Sequence, residues 1–182
     1  MMSIKQALDE VHEAIRSAAE ASGRRPQDVT LCAVSKMFDA AVIEGALAAG
    51  QRVFGENRVQ ESQSKWPALR ERYPDVSLHL IGPLQTNKSE DAIALFDVIQ
   101  TLDRPKLARS LAAAEQKTGL RRRYYIQINT GEEPQKAGTV PAEADDLIRL
   151  CRDELGLSAG GLRCIRPVEV EQGVELVLLW GG

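Results

Sequence analysis

Histidine, cysteine and aromatic side chains are scarce in this chain, and hydrophobic runs are short. Among 182 residues there are two histidines and three cysteines. Cys32, Cys151 and Cys164 are odd in number and lack the close spacing of a metal knuckle, so neither a disulfide framework nor a zinc or iron centre is expected. They read as reduced thiols of a cytoplasmic protein. The longest unbroken apolar runs, Ala92–Phe96 and Leu176–Trp180, are five residues each. Neither could cross a membrane, and Asp9 and Glu10 arrive before any stretch that a signal peptide would need. Lys plus Arg number 23 against 26 Asp plus Glu, a net charge of -3. No basic footprint for nucleic acid or an anionic membrane is present. What is present is a globular composition, 43% hydrophobic and 27% charged, of a length that suits one domain.

The apolar pattern begins with a helix over 3–22. Ile4, Ala7, Leu8, Val11, Ile15 and Ala18 recur at helical spacing, Ser3 and Gln6 form a capping box, and Gly23 ends it. Val29–Val34 then reads as a strand that is apolar on both faces, as a covered parallel strand must be. The pair of signals repeats. Helices are expected over 39–49 (capped by Asp39 and stopped at Gly50), 59–72 (broken or kinked near Pro67), 87–95, 105–117 and 142–155. Strands are expected at 52–55, 76–81, 98–102, 124–129 and 161–165.

Strict β/α alternation at a repeat of roughly two dozen residues implies parallel strands joined by helical crossovers. An open doubly wound sheet and a (β/α)8 barrel both fit. The first strand leads into Ser35-Lys36-Met37-Phe38 and not into a glycine-rich dinucleotide fingerprint, which favours the barrel. Six of its eight strands are visible. The expected fold class is therefore α/β: a modified (β/α)8 TIM-type barrel with an extra N-terminal helix, incomplete at about six β/α units.

In such folds reactive residues gather beyond the carboxyl ends of the strands. Those ends deliver Ser35 and Lys36, then Gly55-Glu56-Asn57, then His79 with Gly82–Lys88, then Thr101–Arg104, then Gln127, Asn129, Lys136 and Gly138, and lastly Cys164 to Arg166. Lys36 is the sharpest candidate. An amine at the mouth of an apolar strand is expected to be partly desolvated, which favours the free base that Schiff-base formation with an aldehyde requires. The bland alternative is a solvated surface lysine. Asn57 could instead cap the following helix, and His79 could be a hydrogen-bonded core residue. Gln85, Asn87 and Lys88 could cap a helix or meet an anion there. Arg121-Arg122-Arg123 reads as a solvated loop, Asp91 and Asp97 as solvated carboxylates, and Cys32 and Cys164 as small core hydrophobes.

The strand-end motifs resemble those of the pyridoxal phosphate homeostasis protein family, single-domain relatives of the N-terminal barrel of alanine racemase. The matching stretches are AVSK (Ala33–Lys36), FGENRVQE (Phe54–Glu61), HLIGPLQTNK (His79–Lys88), TLDR (Thr101–Arg104) and IQINTGEEPQKAG (Ile126–Gly138). The resemblance covers residues 1 to about 165, the expected barrel domain, and leaves 166–182 as a divergent tail. It implies that Lys36 forms the Schiff base with pyridoxal 5′-phosphate (PLP). It also implies that Asn57 lies near the cofactor ring, that His79 and the Gly82–Lys88 loop line the same mouth, and that Lys136 stands near the entrance. The implied role is to buffer and deliver PLP, with apo PLP-dependent enzymes as recipients and without catalytic turnover.

The chain departs from that pattern after Pro167, and the family's GLM-x-I-x-P stretch becomes Gly161–Pro167 with arginines at Arg163 and Arg166. The family's later phosphate-binding turn and its arginine facing the pyridine nitrogen have no counterpart in this sequence. A truncated or frame-shifted member is expected from this, with weaker PLP retention and an apolar tail that is exposed unless it packs across the gap. Two other readings are a PLP-dependent amino-acid racemase-like enzyme and a non-functional fragment. A racemase needs an opposing acid/base group, and Tyr73, Tyr124 and Tyr125 are poorly placed to provide it.

Overall fold

The computed structural model describes residues 2–132, 136–165 and 177–180. The chain forms two compact units, Met1–Glu56 with Gln60–Leu78, and Asn57–Val59 with His79–Gly182.

In the first unit, α1 (Ile4–Ala21) starts at the expected capping box: Ser3 Oγ accepts from the Gln6 amide at 3.2 Å and Gln6 Oε1 from the Ser3 amide at 2.9 Å. Its apolar stripe is largely open, with Ala19 its buried residue and Ile4 and Val11 exposed. Ile4 instead reaches α2 (Ala40–Ala48), where a Cβ on Gly45 would come within 2.8 Å of its Cδ1. Asp39 caps α2 as expected, accepting from the Val42 amide at 3.0 Å.

Strand β1 is shorter than its sequence suggests, Ala33–Val34 instead of 29–34. The Leu31 carbonyl is taken by the Gln51 side chain at 2.9 Å, outside any ladder, and Val29 is exposed, so this segment is not covered on both faces. β1 pairs in parallel with β2 (Val53–Glu56), Val34 opposite Gly55. Helix α3 (Val59–Arg72) runs through Pro67 without the expected break. Trp66 and Leu69, both fully buried, flank that proline, and Trp66 packs on Phe54 with ring centroids 5.1 Å apart.

The second unit takes in the end of β3 (Ser77–Leu80), then α4 (Ser89–Leu95), β4 (Val98–Leu102), α5 (Pro105–Thr118), β5 (Arg123–Ile128), α6 (Pro141–Arg149) and β6 (Ser158–Ile165). β3 pairs in parallel with β4, β4 with β5 and β5 with β6, with His79 opposite Val98, Ile99 opposite Tyr124 and Gln127 opposite Arg163. Continuous burial along β4 shows why its sequence does not alternate. Proline opens α5 and α6, where its missing N–H costs nothing. Gly119 closes α5 at φ +70°, a conformation that favours glycine.

Three expectations change in this unit. The sixth helix ends at Arg149 and continues as a π-helical turn, Leu150–Glu154. Lys88 precedes α4 without a side-chain cap and reaches Asp91 Oδ2 at 3.5 Å instead. The arginine run is only in part a solvated loop: Arg121 and Arg123 are exposed, but the run is tied down. Buried Glu115 accepts from Arg121, from the Arg122 amide and from the Tyr124 hydroxyl, each at 2.8 Å, while Arg122 Nε donates to the Ile93 carbonyl at 2.7 Å. Burial and that carboxylate push the Tyr124 hydroxyl pKa up.

The tail contributes β7 (Val177–Trp180), antiparallel to β6, with Arg163 opposite Leu179. Arg166, Pro167 and Leu176 lie outside the described residues. Cys32 and Cys164 are half-buried and not core; Cys151 is the buried thiol, with burial pushing its pKa up to about 11. No helix among the described residues is long and apolar enough to cross a membrane.

Candidate functional site

In the first unit the end of β1 turns at Ser35–Phe38, where the Phe38 amide donates to the Ser35 carbonyl at 3.1 Å. Lys36 and Met37 occupy the two central positions of this turn. Their side chains, and that of Phe38, are exposed. The partial desolvation expected of Lys36 is therefore absent, because β1 is two residues long and its turn projects outward. What is held is the turn that carries the amine. Lys65 Nζ, on α3, donates to the carbonyls of Ser35 (2.9 Å) and Phe38 (3.2 Å), the two ends of the turn.

Beneath the turn lies a buried acid. Glu56 is 0% exposed, and its Oε1 accepts from Ser35 Oγ at 2.6 Å and Trp66 Nε1 at 3.0 Å, with Lys65 Nζ at 2.8 Å. A buried carboxylate is tolerable only when paired and hydrogen-bonded, and this one has three donors.

In the second unit Asn57 is half-buried, and its backbone is crossed closely by the Gly82 loop. A Cβ on Gly82 would lie 2.3 Å from the Asn57 carbonyl oxygen, so only glycine fits. His79 is 9% exposed, its Nδ1 2.7 Å from Gln100 Nε2. Burial drives its pKa down to about 4, so the imidazole is neutral at physiological pH. Lys136 is half-buried, and its carbonyl accepts from Asn129 Nδ2 at 3.3 Å; Gln127 Nε2 holds the neighbouring Ala137 carbonyl at 2.7 Å. Gly138, at φ +132°, lets this segment lie against Asn129.

Arg163 is 3% exposed and donates to the Ile81 carbonyl (2.7 Å) and to Gln127 Oε1 (3.1 Å), joining the ends of β3, β5 and β6. A separate cleft of about 400 Å³, lined by Ile126, Ile148, Arg152 and Leu162 among others, contains none of the candidate residues.

Thus Lys36 belongs to the first unit, and Asn57, His79 and Lys136 to the second. Sequence reading missed Lys65, whose position in the middle of a helix gives no strand-end signal. It missed Gln100 too, hidden within an apolar strand. Arg163 stood out only as a departure from a family pattern. Lys36 fits an aldehyde-bearing cofactor on the chemistry of its donor: a primary amine, open to solvent, on a turn tied at both ends. PLP would bring such an amine an electrophilic aldehyde to condense with and an electron-withdrawing ring.

The alanine racemase N-terminal domain family matches residues 7–166. A pyridoxal phosphate homeostasis protein of Vibrio alginolyticus is 38% identical over 167 residues, which span 91% of this chain and 72% of the relative. The protein of the same name from Escherichia coli K12 is 38% identical over 172 residues, 94% of this chain and 74% of its own. The solved structure of Synechococcus elongatus PipY with PLP bound superposes with a TM-score of 0.72 at 35% identity, over 86% of this chain and 72% of that one. With its parallel β/α succession and its strand-end motifs, the chain belongs to the alanine racemase N-terminal domain family, among the relatives named pyridoxal phosphate homeostasis proteins.

Proposed function

We propose that this protein binds pyridoxal 5′-phosphate and serves intracellular vitamin B6 homeostasis, holding the cofactor as a Schiff base on Lys36. The observation that carries this reading is the Lys36 amine itself, exposed on a turn whose two end carbonyls are both held by Lys65. The names of the relatives and the PLP-bound state of PipY support it. Asn57, His79 and Lys136 are proposed as further cofactor-binding residues, His79 as a neutral imidazole. The barrel domain is assigned to 1–165, with 166–182 as a divergent tail.

In this reading the protein is a non-catalytic carrier in the cytoplasm that releases PLP to apo-enzymes. Its function needs only reversible condensation: the amine adds to the aldehyde carbon and water leaves. The test is borohydride reduction of protein incubated with PLP, followed by peptide mapping. Label on Lys36 alone is expected. Label spread over many lysines, or none, overturns the site. Racemisation of an amino acid well above the rate with free PLP overturns the carrier role.

A further inference from the structure

We infer that Lys65 is a positioning residue that locks the Ser35–Phe38 turn and thereby fixes where the Lys36 amine is presented. The inference rests on the proposed role of Lys36 and adds a residue to which neither the sequence motifs nor the relatives' names assign a part.

An exposed turn has little apolar burial to hold it. Met37 is 82% exposed and Phe38 52%. Its order must come from the backbone, yet only one bond, Phe38 amide to Ser35 carbonyl, closes it from within. Lys65 supplies the rest. Its ammonium has three donors, and three acceptors surround it: the Ser35 carbonyl, the Phe38 carbonyl and Glu56 Oε1. The side chain is only 11% exposed, so these are not the loose contacts of a surface lysine.

Glu56 completes the device from below, because the same Oε1 also takes the Ser35 hydroxyl. Its other oxygen, Oε2, is buried with no hydrogen-bond partner among the described residues. The carboxylate is thus spent on one side, toward Lys65, Ser35 and Trp66. Downstream, the Asp39 cap fixes the chain into α2. Lys36 and Met37 are therefore the residues between two anchored ends, and Lys65 ties the carbonyls of both. A reactive amine on a clamped turn meets an aldehyde in one geometry; on a loose turn it samples many.

The test compares the unchanged protein with Lys65→Met, and with Lys65→Met/Glu56→Gln, which keeps the cluster neutral should the single variant fail to fold. Two readouts are taken on folded protein: amide hydrogen exchange, and the initial rate of cyanoborohydride trapping of PLP at each lysine. The Phe38 amide is expected to exchange at least tenfold faster. The Ser35 amide, bonded to the Gly55 carbonyl at 3.0 Å in the ladder, keeps its protection. Trapping at Lys36 falls at least fivefold, with the other lysines unchanged. A purely structural Lys65 would loosen both amides together. Equal protection of Phe38 in the variants overturns the clamp, and undiminished trapping at Lys36 overturns its positioning role. Absence of Lys36 labelling in the unchanged protein sinks the cofactor reading instead, and the exchange data alone then decide the clamp.

Discussion

Two clusters, one in each unit, bury polar groups in opposite ways. In the first, an acid is sunk to 0% exposure and answered by an ammonium, a hydroxyl and an indole. In the second, neutral amides and an imidazole accumulate, with the Arg163 guanidinium threaded among carbonyls: His79 with Gln100, Gln127 with Ala137, Arg163 with Ile81 and Gln127. The same unit also holds a buried acid, Glu115, answered by Arg121, the Arg122 amide and Tyr124. A charged pair is intolerant of losing one member, since the survivor remains charged in a dry site. A neutral network loses only the bonds themselves. The Glu56 cluster should therefore be more brittle than the neutral network around Arg163, and the turn bearing Lys36 depends on that cluster.

The largest effect tests that contrast directly. Lys65→Met leaves Glu56 buried without its counter-charge and should lower unfolding stability by about 3 kcal/mol in urea titration. The Lys65→Met/Glu56→Gln variant should recover most of that loss. Equal losses in both would erase the distinction between the clusters.

Next comes acid. The folded-state pKa of His79 is about 4, below its ordinary 6.5, so between these values the unfolded chain takes up a proton that the folded one refuses. The His79 contribution is complete above pH 6.5, fades as pH falls toward 4 and is fully lost below that, a span worth about 3 kcal/mol at most. Comparing the pH dependence of urea midpoints for the unchanged protein and His79→Gln checks it; the variant should show a flatter profile across that window.

Gly82→Ala should cost about 1–3 kcal/mol, because its new methyl meets the Asn57 backbone and not a yielding side chain. Thermal unfolding measures it. The smallest effect is expected at Arg163→Met, within about 1 kcal/mol in urea titration. The bonds to Ile81 and Gln127 go, but so does the burden of burying a cation. A loss as large as that of Lys65→Met would show that the network around Arg163, too, is built on a charge.

Much of this was legible in the sequence. Helices announced themselves through caps: Ser3 with Gln6, and Asp39, act where they were expected. Strand β4 matched its apolar run residue for residue. The misses have particular causes. Val29–Cys32 has strand-like composition, but Gln51, some twenty positions away, takes the Leu31 carbonyl out of any ladder. Arg122 looked solvated because the tie of its amide to Glu115, in the last turn of α5, and of its guanidinium to the Ile93 carbonyl are invisible to local reading. Lys36 was identified by its place at a strand end, yet the reason given, desolvation, is not what the structure offers. Its order comes from Lys65, a tertiary contact that no local periodicity encodes.

The reversed pairing of Val177–Trp180 has a last consequence. A row of amides and carbonyls can serve one neighbour at a time, and this one is taken from Leu162 to Ile165 by a segment running the opposite way. A parallel partner would need the same atoms, so it could dock there only by displacing the tail. That border of the protein is reserved by occupancy, and whatever frees the final residues also reopens it.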